Sequence, residues 1–308
     1  MATLLKKMLE NPGYVFVRGA GRFAMVRKFV TVIKGWLEYR RTLQYRCELT
    51  ANIGNSVFTG IQLEEYMRNL NASGCGFGLR LPNDVVEEIR AYAESSTVYA
   101  FRDPKLGFLL QERRQAEALL GREILLAQYF NAQEDCSAIS RIAEDPLLKL
   151  IALNYLGSIP KYLGATLWWT FPVTPNRADQ MKHAHFFHRD IDDFKFLKFF
   201  FYLTDVDAGD GGHWVVAGSH QYAPKITIKD RFVTRRFEDK EINNYYKNSD
   251  PIEVIGPAGL GFAEDTLCVH KAATPIRNPR LILQLQFGLF DFVPQNDKRS
   301  ASELQRIT

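Results

Sequence analysis

The sequence predicts an α+β protein, with helices in its first half and aromatic strands in its second. Three observations predict this. Residues 22–41 and much of 105–165 place apolar side chains at helical spacing. From residue 165 the period changes to short apolar runs bounded by Gly, Pro and Asp. The 308 residues include 22 Phe and 13 Tyr, which suit bulky strand interiors. Composition permits such a fold: 46% hydrophobic and 24% charged residues exclude disordered and fibrous classes. A chain of this length buries roughly 75% of its unfolded surface and needs no disulfide or structural zinc. Cys47, Cys75, Cys136 and Cys268 lie far apart with no C-x-x-C, so reduced thiols are expected. No run reaches the ~18 to 20 apolar residues of a membrane span. The N-terminus has no continuous apolar h-region, so a cytoplasmic location is expected.

Charge is uneven. Residues 1–50 carry ten Lys/Arg against three Glu, a local +7, and the overall +4 leaves −3 for the other 258 residues. A basic head on a near-neutral body is no nucleic-acid groove, but it suits an anionic partner or surface. Within it, Phe23, Val26, Val30, Ile33 and Leu37 form one helical stripe, broadened by Phe29 and Trp36. Packing on the core is the favoured reading of this helix, and weak contact with a membrane surface is the other.

The elements follow in order. NASGCGFGLR (71–80) fails the G-x-G-x-x-G spacing and reads as a turn and short strand, after which Asn83 or Asp84 caps a helix through VVEEIRAYA. LLQERRQAEALLGREILLAQYF (109–130) and DPLLKLIALNYLG read as helices, with Pro146 in the first turn of the latter. ATLWWTFPV reads as a strand whose adjacent Trp168 and Trp169 face opposite ways, one to the core and one to a pocket wall. KFLKFFFYLTDVD and LCVHKA are further strands. RLILQLQFGLF alternates Leu281, Leu283, Leu285 and Phe287 with Arg280, Ile282, Gln284 and Gln286. The polar face lines either a barrel interior or solvent. Residues 225–250 hold twelve charged side chains, a solvated excursion or a lid.

The chemistry concentrates in HAHFFHRDIDD (183–193). On a strand, His188 and Asp190 share a face and can reach one metal ion. Two histidines and one carboxylate leave three open positions and suit non-haem Fe(II) oxygenases. The third ligand comes from His213, His220 or His270. His270 is favoured, because it lies in a strand with Arg280 opening the next one. His220 sits in a turn, followed by Arg231 at the start of the charged insertion. His183 and His185 have the opposite parity to His188 and are expected to serve supporting roles. Lys198 shares a face with Phe200 and Tyr202, so it either assists an anionic ligand or lies at a sheet margin.

F-H-R-D at 187–190, F-Y-L-T-D-V-D at 201–207, A-G-S-H at 217–220, and H-K-A-A with Arg280 ten residues after His270 together resemble the phytanoyl-CoA dioxygenase type of Fe(II)/2-oxoglutarate-dependent dioxygenase. The resemblance covers residues 165–290. It departs at Gly212-His213-Trp214, where relatives more often carry Gly-Pro. It implies a double-stranded β-helix, the cupin-like jelly roll, buttressed by helices; this domain is expected over 71–308, after a basic helical extension over 1–70 that the resemblance does not reach. It implies Fe(II) on His188, Asp190 and His270, 2-oxoglutarate gripped by Arg280, and O2 as co-substrate; if its strand face points inward, Lys198 joins Arg280 in binding 2-oxoglutarate. The implied activity is hydroxylation of a small-molecule, lipid-linked or sugar-type substrate with release of succinate and CO2. Halogenation is disfavoured, because the Asp190 carboxylate fills the position a halide would take. The alternative is a non-catalytic cupin-like binding protein, against which the presence of all four residues speaks.

Overall fold

The computed structural model describes residues 11–173, 186–221, 236–246, 250–292 and 297–308. His183, His185 and Arg231 lie outside the described residues, as does much of the charged insertion.

The N-terminal region is helical: α1 (Pro12–Ala20), α2 (Ala24–Leu37), α3 (Tyr39–Ala51) and α4 (Leu63–Ser73). Asn11 caps α1 by accepting from Tyr14 N–H at 2.9 Å, and its amide donates to Phe292 O at 2.7 Å, so the start of the described chain is tied near its end. The helix expected over 22–41 is broken at Glu38 (φ −97°, ψ 5°). No Gly or Pro marks this break. It lets α3 turn Leu49 onto Leu150 and Leu153 of a later helix, a tertiary cause invisible to periodicity. Core packing was also the wrong expectation for most of the α2 stripe. Only Val26 and Val30 pack partly on the core, while Phe29 and Trp36 are exposed.

Gly74 (φ 76°) ends α4 in a left-handed cap and starts β1 (Cys75–Arg80). In α5 (Asn83–Ser95) the N-cap residue is Pro82, so Asn83 and Asp84 lie in the first turn and do not cap it as expected. Two short strands, β2 (Val98–Ala100) and β3 (Gly107–Phe108), precede α6 (Arg113–Leu120). The long helix expected over 109–130 stops at Gly121 (φ 63°), and its second part forms the fully buried strand β4 (Leu126–Tyr129). A short apolar run does not distinguish buried helix from buried strand, and sheet pairing decides it here. Then come α7 (Ala132–Asp135), α8 (Ser137–Ala143) and α9 (Pro146–Leu156). Asp145 caps α9, Pro146 opens it and Gly157 (φ 76°) closes it.

The strands β5 (Lys161–Thr170), β6 (Phe196–Tyr202), β7 (His213–Val216), β8 (Ile252–Val254), β9 (Leu260–Glu264), β10 (Val269–Ala272) and β11 (Arg280–Gly288) complete two antiparallel sheets. The large sheet has the order β1-β9-β6-β11-β5-β4-β2-β3, the small one β10-β7-β8. Bridges His188–His270 and Phe187–Phe237 extend the small sheet beyond β10. Residues of one face of the large sheet, including Leu167, Phe199, Leu283 and Leu285, share a core with Ile89 of α5 and Ile151 of α9. Phe200, Tyr202, Phe262 and Ile282, on the other face, cluster with Val215 of the small sheet. Val17, Tyr66 and Leu70 of the N-terminal helices join the first core. After Phe237, α10 (Asp239–Tyr245) anchors the described part of the insertion by packing Ile242 with Phe187, Val216 and Val269.

Candidate metal and co-substrate site

The two sheets enclose a cavity of about 270 Å³ lined by His188, Asp190, Lys198, Phe200, His213 and His270, with Trp168, Thr170, Gln284 and Gln286 from β5 and β11. The polar face of β11 therefore points inward. Of the tryptophan pair, Trp168 is pocket wall, while Trp169 is buried and donates its indole N–H to the Tyr129 hydroxyl at 3.0 Å.

His188 and His270 are 82 positions apart in sequence yet directly opposite across strands. Each backbone N–H donates to the other's carbonyl at 2.9 Å, and the rings stand 4.3 Å apart. Each Nδ1 lies 2.9 Å from a carbonyl two residues upstream, Phe186 O for His188 and Cys268 O for His270. A carbonyl only accepts, so each Nδ1 carries a hydrogen and Nε2 is the nitrogen left to face the site. Both Nε2 atoms turn to the Asp190 carboxylate, at 3.6 Å from Oδ1 for His188 and 3.6 Å from Oδ2 for His270. Among the described residues these three form the one cluster of potential metal ligands, with donor atoms within 4.8 Å of one another. Burial, reinforced by His270, holds the His188 pKa well below its ordinary value, so the ring is neutral and ready to ligate. Burial alone would raise the Asp190 pKa, but Lys198 and the two histidines outweigh it and keep the carboxylate ionised.

Lys198 is buried within the site. Its Nζ lies 2.7 Å from Asp190 Oδ2 and 3.0 Å from Asp192 Oδ2. Burial would discharge it, but the two carboxylates outweigh that effect and its pKa is raised. The sheet-margin alternative does not hold. His220 lies in a turn with Nδ1 3.4 Å from Cys268 Sγ and is absent from the metal cluster. His213, the family departure, does reach the cavity. Its Nε2 sits 2.6 Å from Glu264 Oε2. Burial, then Arg280, pushes the His213 pKa down to about 3, and burial raises that of Glu264 well above normal. Burial thus disfavours the charged form of both partners of this short contact.

Arg280 is 1% exposed and pairs in register with Thr170, a cavity-lining residue. Its Nη2 has one long contact to Thr170 Oγ1 at 3.5 Å, while Nε and Nη1 have no partner among the described residues. A buried guanidinium with two unpartnered donors has the chemistry of a carboxylate site.

Sequence reading missed several cavity residues, among them Tyr14, Arg102 and Asp192. Tyr14 reaches in from α1, its hydroxyl accepting from Arg18 at 2.9 Å. Arg102 stands beside Phe101 on a turn where both are left-handed (φ 63° and 55°), a backbone conformation costly for such residues. Asp192 accepts from Gln286 Nε2 at 3.2 Å besides holding Lys198. The D-I-D-D run showed the carboxylate of Asp192, but nothing local showed where Tyr14 and Arg102 point.

No protein family and no curated protein matches the sequence. Solved structures do match. The epimerase SnoN, in complex with Fe3+, alpha ketoglutarate and nogalamycin RO, aligns at a TM-score of 0.51 with 16% identity over 73% of this chain and 82% of that one. The chain shares its fold with SnoN. HygX from Streptomyces hygroscopicus, with nickel and 2-oxoglutarate bound, aligns at 0.49 with 13% identity over 73% and 86%. EctD from S. alaskensis with bound Fe aligns at 0.48 with 13% identity over 80% and 88%. The α+β architecture expected from the sequence thus stands at the level of the fold, as N-terminal helices with an eight-stranded antiparallel sheet and a small second sheet.

Proposed function

We propose that this chain is an Fe(II)- and 2-oxoglutarate-dependent oxygenase that hydroxylates a small-molecule, lipid-linked or sugar-type substrate. The observation that carries the reading is Arg280. A His–Asp–His cluster alone suits several metals and reactions, but a buried guanidinium whose Nε and Nη1 have no partner among the described residues calls for an anionic co-substrate. The residues fit the group: two imidazoles that commit Nδ1 to a backbone carbonyl and turn Nε2 to the site, together with an ionised carboxylate, are the donor set of a facial triad.

His188, Asp190 and His270 would hold the iron. When bound, iron with the 2-oxo acid supplies oxidative decarboxylation to succinate and CO2 and transfer of an oxygen atom from O2 to a C–H bond. Arg280 would fork onto the distal carboxylate of the 2-oxo acid, the bidentate geometry a guanidinium favours. Lys198, held between Asp190 and Asp192, would balance their charge and meet an anionic co-substrate. Trp168 and Phe200 exclude water from the site, while Gln284 and Gln286 offer polar contacts.

The test is anaerobic addition of Fe(II) and 2-oxoglutarate, watched for the weak visible charge-transfer band of their chelate, followed by succinate release in air. The band is expected with the unmodified protein and should be lost in Arg280→Ala at ordinary 2-oxoglutarate concentrations. An unmodified protein that binds Fe(II) but never gives the band would refute the reading. The product expected under labelled O2 carries one labelled oxygen atom.

A further inference from the structure

The helix α2 is apolar on two sides. Its inner side, through Val26 and Val30, packs on the core, and Gly35 approaches Gly157 O so closely that a Cβ there would lie 3.0 Å from it. Its outer side is a second stripe: Met25 is 86% exposed, Phe29 67%, Val32 61% and Trp36 74%, at helical spacings of four, three and four residues. Leu37 and Ile33 widen it, and Tyr39 and Leu43 continue exposed apolar surface onto α3. Single exposed apolar residues are ordinary, but a contiguous stripe of this kind marks an interaction surface.

Charge selects the occupant. Lys28, Arg40, Arg41 and Arg46 are exposed on the same two helices. The acidic Glu38 is already paired with Lys34 at 2.6 Å. Residues 1–50 sum to +7 while the other 258 sum to −3. A second copy of the chain would bring two such basic surfaces face to face across a two-fold interface, and their repulsion opposes it. An anionic lipid surface complements both the apolar stripe and the charge. Among the described residues no helix is long and apolar enough to cross a membrane, so the helix would lie along the surface. We propose that α2 and α3 dock the protein on anionic bilayers, with Met25, Phe29, Val32 and Trp36 entering the headgroup–acyl boundary and Lys28, Arg40, Arg41 and Arg46 meeting the headgroups. Trp36 has the residue type that settles at such boundaries. The proposal does not depend on the reaction catalysed.

Sedimentation of the full chain with vesicles tests it. Vesicles of phosphatidylcholine mixed with phosphatidylglycerol should capture the protein, pure phosphatidylcholine should capture several-fold less, and high salt should weaken capture. Trp36 emission should shift to the blue on capture, a change absent from Trp36→Phe. The double variant Phe29→Ser, Trp36→Ser alters only exposed side chains. It should keep the circular dichroism and melting of the parent while losing roughly tenfold or more in vesicle partitioning. Failure of anionic vesicles to capture the parent would overturn the proposal, as would equal capture by neutral vesicles or undiminished capture of the folded double variant. A dimer in light scattering that the double variant converts to monomer would assign the stripe to a second copy and equally overturn it.

Discussion

His188 and His270 each commit one ring nitrogen to a backbone carbonyl and keep the other for the site. Each of His188→Ala, Asp190→Ala and His270→Ala should therefore weaken Fe(II) binding by more than the roughly 10–100-fold that loss of an outer-sphere partner costs. His220→Ala should leave it unchanged. Anaerobic titration calorimetry decides, and iron lost in His220→Ala but retained in His270→Ala would reverse the assignment. Arg280→Ala should leave Fe(II) affinity in place but raise the 2-oxoglutarate requirement roughly a hundred- to thousandfold, the scale of a buried carboxylate losing its charged partner. Lys should rescue Arg280 only in part, because it lacks the fork. Lys198 offers a separate prediction. Lys198→Met leaves Asp190 and Asp192 without their ammonium, which should destabilise the metal-free protein by roughly 3–5 kcal/mol. Fe(II) then replaces the missing charge, so the rise in melting temperature on adding metal should exceed that of the parent; an equal rise would mean that Lys198 does not support those carboxylates. At this scale the sequence showed His188 and Asp190 because their spacing is local. It favoured His270 through its strand and Arg280. The partners of Lys198 were hidden, because strand β6 meets the 190–192 loop only in the folded chain. Arg102 was hidden by a left-handed turn without glycine, which no composition rule anticipates.

At the scale of elements, α9 was readable because both its ends are written locally, Asp145-Pro146 at the start and Gly157 at the end. Asp145 does more than cap. It is 2% exposed and accepts from Leu147 N–H at 2.8 Å and Leu148 N–H at 3.2 Å, and also from Val57 N–H at 2.8 Å and the Ser56 hydroxyl at 3.0 Å. It thereby fastens the segment before α4 to the helix that packs under the sheet. Asp145→Ala removes the cap and orphans the Val57 donor, so a loss of roughly 2–4 kcal/mol is expected. The check is chemical denaturation together with Fe(II) titration: stability should fall and metal affinity should not. A loss under about 1 kcal/mol would show that water replaces the carboxylate at both places. The elements that sequence reading misplaced share one cause. Strand β4 and the break at Glu38 are settled by pairing with β5 and by packing of α3 on α9, neither of which leaves a local signature.

For the whole molecule, the two-sheet arrangement was legible from the order of helices, aromatic strands and ligand-bearing strands, while the closure between the sheets was not. Asp193 is part of that closure. Its Oδ2 accepts from Phe290 N–H at 2.7 Å, just beyond the end of β11, and its Oδ1 from Phe194 N–H at 2.6 Å, so it ties the loop that carries Asp190 and Asp192 to the far end of the central strand. Burial, opposed by these backbone hydrogen bonds, raises its pKa from 3.8 to about 6. Below pH 3.8 the carboxyl is protonated in both the folded and the unfolded chain and contributes no pH dependence. Between 3.8 and about 6 the unfolded chain has released the proton while the folded chain still holds it. The unfolded state then binds fewer protons, so the free energy of unfolding falls as pH rises. Above about pH 6 the penalty is complete, and the gap in pKa makes it roughly 3 kcal/mol. Other buried carboxyls add their own slopes, so the informative quantity is the difference between the parent and Asp193→Asn, which cannot ionise. Asparagine also loses one backbone acceptor, which lowers stability at every pH by a constant amount and leaves the slope interpretable. Urea unfolding of both proteins across pH 4 to 7 should show the parent losing about 3 kcal/mol relative to the variant as pH rises. A difference that stays flat over that range, or that grows in the parent's favour, would mean that Asp193 is ionised in the folded protein and that the backbone donors of Phe194 and Phe290 outweigh its burial.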